Sequence, residues 1–145
     1  MKVEFHTGVS DKLAHACRLL RKTQAAGAEV VVTGDASLLD RLDQALWTFE
    51  ALAFVPHARL RASGAPGAVH ARTPLWLADD PARCPQRGVL VNLGPEMAPA
   101  WQEFGRVIEI VDASDTDSVQ ARQRWRAYNA AAGVELVHHT LGVAS

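Results

Sequence analysis

Three short apolar runs constrain this chain most: Glu29-Val-Val-Val-Thr33, Gly88-Val-Leu-Val-Asn-Leu-Gly94 and Val107-Ile-Glu-Ile-Val111. A strand with one face in water alternates apolar and polar residues, whereas a strand covered on both faces reads as a continuous apolar run. These runs therefore predict interior strands of a parallel sheet. Residues 2–6 alternate and read as a first strand. From 11 to 26, Leu13, Ala16, Cys17, Leu20 and Ala25 recur at helical spacing, with a turn and cap signalled by Gly8 and Ser10 and a stop at Gly27. Asp35 is a candidate cap for a second helix whose apolar stripe is Leu38, Leu39, Leu42, Leu46 and Phe49. Strand, helix, strand, helix predicts a mostly parallel α/β sheet with right-handed crossovers.

The second half continues the alternation less regularly. Residues 54–57 read as a short third strand that Pro56 pushes to an edge. Residues 61–68 form a loop by composition, 69–77 a fourth strand, and 79–88 a turn-rich connection. Residues 95–104 are expected to form a short helix begun by Pro95 or Pro99. The run 106–112 is a further buried strand. Residues 112–132 are the last long helix, capped by Ser114 or Asp115 and closed at Gly133, and 134–141 a final strand. A length of 145 residues suits one domain, 1–145, able to bury its core without a disulfide or metal staple.

Composition removes several function classes. A formal net charge of −1 and 6% aromatic residues argue against direct, strong nucleic-acid binding. No segment approaches the roughly 20 apolar residues that cross a bilayer, and the first residues run straight into a strand, so a cytoplasmic protein without membrane contact is expected. Cys17 and Cys84 belong to no C-x-x-C pair and read as free thiols in a reducing compartment.

The usual signs of chemistry are weak. Thr33-Gly-Asp-Ala-Ser-Leu38 sits between strand and helix, where phosphate loops lie, but has one glycine and no lysine; helix capping accounts for it better. Asp40, Asp43 and Glu50 share a helix with Arg41 and read as a solvated face rather than an acid/base pair. The six histidines lack zinc-ligand spacing. His138 and His139 point to opposite faces of a strand, and nothing requires His57 and His70 to meet. No serine occupies a G-x-S-x-G elbow. No metal, cofactor or catalytic set is expected.

The last helix differs. In Asp117-Ser-Val-Gln-Ala-Arg-Gln-Arg-Trp-Arg-Ala-Tyr-Asn129, Arg122, Trp125 and Arg126 are three and four apart and share a face. Arg124 and Tyr128 form a second such pair around the helix. Two guanidinium forks beside an indole suit a peptide with acidic and aromatic groups or a free C-terminus. Helix periodicity alone favours the plainer arrangement, with Trp125 packed inward and the arginines solvated at its rim.

The runs Arg41-Leu-Asp-Gln-Ala-Leu-Trp47, Phe54-Val-Pro-His57 and Ala121-Arg-Gln-Arg-Trp-Arg-Ala-Tyr128 resemble, in order and spacing, the chi subunit of the bacterial DNA polymerase III holoenzyme. The resemblance covers nearly the whole chain. It implies a three-layer α/β/α fold and a clamp-loader accessory protein without catalytic activity. The implied partners are the acidic C-terminal tail of single-stranded-DNA-binding protein, which ends in Ile-Pro-Phe, and the psi subunit that links chi to the clamp loader. By position, Arg122, Trp125 and Arg126 would take the tail. The family often has tyrosine and lysine at the last two positions, and a family lysine falls near Ser118 here. Trp47 and Phe54 map to the psi surface, which a helicase-like repair protein also uses; from its own helix stripe, Trp47 fits core or surface equally. The alternative on the same scaffold is a nucleotide-binding or nuclease-like enzyme.

Overall fold

Among the described residues the interior runs lie at the centre of one seven-stranded sheet, with order β3-β4-β2-β5-β6-β1-β7 and every neighbouring pair parallel. The strands are β1 (Lys2–Val9), β2 (Val30–Thr33), β3 (Ala58–Leu60), β4 (Leu75–Ala78), β5 (Val89–Asn92), β6 (Arg106–Asp112) and β7 (Glu135–Thr140). Among the described residues three α-helices cover it: α1 (Lys12–Ala25), α2 (Ala36–Thr48) and α3 (Asp115–Ala130). The computed structural model describes residues 1–48, 57–61, 74–84 and 87–140.

Strand alternation sorts the core into two layers. Val9, Val30, Val32, Leu75, Leu77, Val91, Ile108 and Ile110 face α1 and α2, where Ala16, Cys17, Leu20, Leu39, Leu42 and Leu46 close the packing. Val3, Phe5, Val31, Trp76, Leu90, Val107 and Val111 face the other way, against Ala121 and Tyr128 of α3 and against Trp101 and Phe104. The result is the three-layer α/β/α arrangement implied by the resemblance, built on the parallel sheet that the strand–helix alternation predicts. The βαβα start folds as expected, but β1 lands far from β2, between β6 and β7.

Local differences have local causes. Gly8 does not end the first strand: it takes φ 70° inside β1, at a register shift between His6 and Val9, and so serves a bulge. The α1 cap is Asp11 rather than Ser10, its carboxylate accepting from the Ala14 N–H at 3.1 Å. The expected helix over 95–104 is only a 3-10 turn, Trp101–Glu103, because Ala100 takes φ 62°, a left-handed conformation that no continuous right-handed helix accommodates. The third strand starts at Ala58, just past the segment expected, and it does occupy the sheet edge. Of the fourth strand, the described part is β4; residues 69–73, the loop at 62–68, Phe49 and Glu50 lie outside the described residues. β6 matches its expected bounds, and Ser114 caps α3, accepting from the Asp117 N–H.

The carboxylates on α2 are not simply solvated. Asp40 accepts from Arg59 Nε at 3.0 Å, and Asp43 lies 2.6 Å from His57 Nε2. Arg59 also reaches Asp79 at 2.6 Å, so these groups fasten the edge strand β3 to α2 and β4.

Candidate functional site

Helix α3 carries a polar sequence and still packs on the sheet, because its inward stripe is Asp117, Ala121, Arg124 and Tyr128. Arg124 is 3% exposed and Glu109, at the middle of β6, is 0% exposed. Arg124 Nε donates to Glu109 Oε1 at 3.0 Å, the Tyr128 hydroxyl donates to Oε2 at 2.7 Å, and Asn92 Nδ2 sits 3.0 and 3.1 Å from the two oxygens. Arg124 Nη1 also donates to the Pro95 carbonyl at 2.6 Å. Burial pushes the Glu109 carboxyl up from its ordinary range, opposed by the Arg124 charge and the three donor groups. Burial and the neighbouring Glu109 likewise push the Tyr128 hydroxyl up. One arginine–aromatic pair is thus used to fix α3 on the sheet.

With Arg124 turned inward, Arg122 and Arg126 turn out. Both are exposed, and neither has an ion-pair partner among the described residues. Trp125, between them, is half-buried. Its ring meets Phe5 edge-on with centroids 5.2 Å apart, and His138 at 6.0 Å. The indole is packed and yet forms a wall.

That wall bounds a cavity of about 290 Å³ lined by Phe5, Thr7, Val111, Ser118, Ala121, Arg122, Trp125 and His138. Its floor is apolar. Arg122 stands on one rim, and on another Thr7 Oγ1 and His138 Nε2 are 2.6 Å apart. Arg122 and Trp125 therefore meet at one cavity as their spacing suggested, and Ser118 lines it too. Arg126 does not line it; it lies about one turn further along α3. Helix spacing alone did not reveal Phe5, Thr7, Val111 and His138, which come from strands distant in sequence. The volume is at the small end of ligand pockets, about 300–1,000 Å³. It suits a side chain or a peptide end rather than a dinucleotide.

A larger crevice of about 690 Å³ opens at the C-terminal ends of the strands, lined in part by Lys12, Asp35, Arg41, Asp112 and Asp117. Open α/β sheets bind nucleotides in such a place. Here Lys12 Nζ is already committed, 2.9 Å from Asp117 Oδ2 and 2.9 Å from the Leu93 carbonyl. Gly34 serves packing: a Cβ there would lie 3.2 Å from Leu93 Cβ. Four aspartates against one lysine and one arginine make the lining a poor match for phosphate.

Trp47 ends α2 at 53% exposure, with its ring 5.0 Å from that of His57. It is surface rather than core. Phe54, and with it the second half of the implied psi surface, lies outside the described residues, as does His70. A different group comes together instead: Glu4, His6 and His139, whose donor atoms all lie within 4.8 Å of one another. Sequence spacing hid it, because the ligands come from the first and last strands. Both cysteines are buried and free; burial pushes the Cys84 thiol up to about 11. No described helix is long and apolar enough to cross a membrane.

Fold and cavity together define a parallel α/β domain with an aromatic-walled groove beside α3, rimmed by an exposed arginine. The model of the family described as DNA polymerase III chi subunit, HolC, matches residues 1–136. The DNA polymerase III subunit chi of Pseudomonas aeruginosa is 32% identical over 120 residues, covering 82% of this chain and 80% of that protein. The protein of the same name from Escherichia coli K12 is 30% identical over 117 residues, covering 79% and 76%. The chain belongs to the DNA polymerase III chi subunit family, and is thereby a replication accessory subunit.

Proposed function

We propose that this chain is a non-catalytic adaptor whose α3 groove binds the acidic C-terminal tail of single-stranded-DNA-binding protein. The observation that carries the proposal is the joining of Arg122, which has no ion-pair partner among the described residues, to the apolar Phe5–Val111–Trp125 cavity. The last aromatic ring of the tail enters the cavity. Its terminal carboxylate takes the Arg122 fork, a pairing that suits guanidinium geometry. Arg126, a turn further, meets the acidic residues upstream, and its contribution is the smaller because it stays in water.

The exposed Trp47 supports a second surface on the same chain. With Phe54 it receives the psi subunit, which links the adaptor to the clamp loader. Trp47 on α2 and Trp125 on α3 belong to different helices, which suits two partners held at once.

A fluorescently labelled tail peptide tests the first reading by anisotropy. Binding should saturate, weaken as salt rises, and be lost in Trp125→Ala. Full binding by a Trp125→Ala variant that melts like the wild type would remove the groove from the account. For the second surface, Trp47→Ala should weaken co-elution with purified psi while leaving tail binding unchanged.

A further inference from the structure

Strands β1 and β7 run parallel with His6 opposite His139, so their imidazoles are neighbours on one face of the sheet. Glu4 precedes His6 by two residues and points to the same face. This is the α1 side, opposite the tail groove: of the two adjacent β7 histidines, His138 lines the groove and His139 does not. The rings of His6 and His139 are 5.4 Å apart, and His6 Nε2 is 3.8 Å from Glu4 Oε2.

We propose that Glu4, His6 and His139 form a binding site for a divalent transition-metal ion of the zinc class, clipping the edge strand β7 to β1. Two imidazoles and one carboxylate are a donor set zinc takes with a water in the fourth position. Zinc bonds of about 2.0–2.1 Å place tetrahedral donors about 3.4 Å apart. Donors already within 4.8 Å of one another need to close by about an ångström, which rotation of the exposed His139 ring supplies.

A second feature supports the site. His6 Nδ1 lies 3.0 Å from His15 Nε2 of α1. A metal-binding histidine characteristically engages its other ring nitrogen in a hydrogen bond, which fixes the ring and the tautomer. With Nδ1–H donated to His15, the Nε2 lone pair is directed toward Glu4, and a cation between the two satisfies both. Arg106 partly fills that role, its Nη2 2.6 Å from Glu4 Oε2, while Lys2 Nζ is 3.4 Å from Oε1. The ion must displace Arg106, whose side chain is 43% exposed and has water to move into. Neither cysteine belongs to this donor group.

The test uses the untagged full chain, freed of metal with a chelator and titrated with zinc chloride by calorimetry. Cobalt(II) gives a parallel optical readout. The wild type should bind one ion, show visible d–d absorption with cobalt and melt at a higher temperature with zinc. His139→Ala removes an exposed side chain and should fold normally, yet bind zinc at least about tenfold more weakly and lose the cobalt bands; His6→Ala should do the same. Absence of saturable zinc binding in the wild type would overturn the proposal. So would binding that survives His139→Ala unchanged, since it would belong to other histidines.

Discussion

Helix α3 carries two arginine–aromatic pairs with opposite fates. Arg124 and Tyr128 face the sheet, and every contact they make to Glu109 is within the protein. Arg122 and Trp125 face a cavity, and the guanidinium has no protein partner among the described residues. The residue types match and the spacings differ by one. What separates the pairs is a rotation around the helix axis. An arginine turned inward must be paired, because a lone buried charge is prohibitive, and once paired it is unavailable to a ligand. An arginine turned outward costs nothing to leave open. The first pair positions the second: Arg124 and Tyr128 hold α3 at the angle that stands Trp125 over Phe5.

This contrast can be broken by mutation, and the largest effect belongs to the inner pair. Arg124→Ala strands Glu109 without its countercharge and should destabilise the fold by roughly 3–5 kcal/mol in urea unfolding. An Arg124→Ala protein of normal stability would erase the distinction. Arg122→Ala should leave stability within about 0.5 kcal/mol, while removing a charge-assisted bond worth about 1.5–3 kcal/mol to the tail, or roughly ten- to hundredfold in affinity. Arg126→Ala should cost the tail less than about 1 kcal/mol, as an exposed pair does. An Arg126 effect larger than that of Arg122 would move the binding site one turn along the helix. The smallest effect is chemical: with the Cys84 thiol pushed up to about 11 and both cysteines buried, a thiol reagent near neutral pH should label the folded chain only at the rate at which it opens.

The same contrast explains what was legible in the sequence. Interior strands were readable because burial on both faces writes itself into consecutive residues; β6 matched its expected bounds, and β5 is the middle strand of the sheet. The meeting of Arg122 and Trp125 was readable because helix spacing is local, whereas Arg126, expected with them, does not line the cavity. The inward face of α3 was not. Its buried stripe is Asp117, Ala121, Arg124 and Tyr128, which no search for apolar periodicity finds, since its partner Glu109 lies on another element. The Glu4–His6–His139 group escaped for a similar reason, as it depends on the first strand pairing with the last. The missed break at Ala100 came from a backbone conformation that alanine rarely adopts and its identity does not announce.

The central claim is that the outward pair receives a peptide C-terminus. Calorimetry with an acidic peptide ending in Ile-Pro-Phe tests it most directly, run as free acid and as C-terminal amide against the wild type and Arg122→Ala. The account predicts one-to-one binding of the free acid to the wild type, and a loss of roughly ten- to hundredfold on either amidation or Arg122→Ala. It also predicts little further loss when the two changes are combined, because both remove the same pair. Equal affinity for the acid and the amide, or losses that simply add, would contradict it.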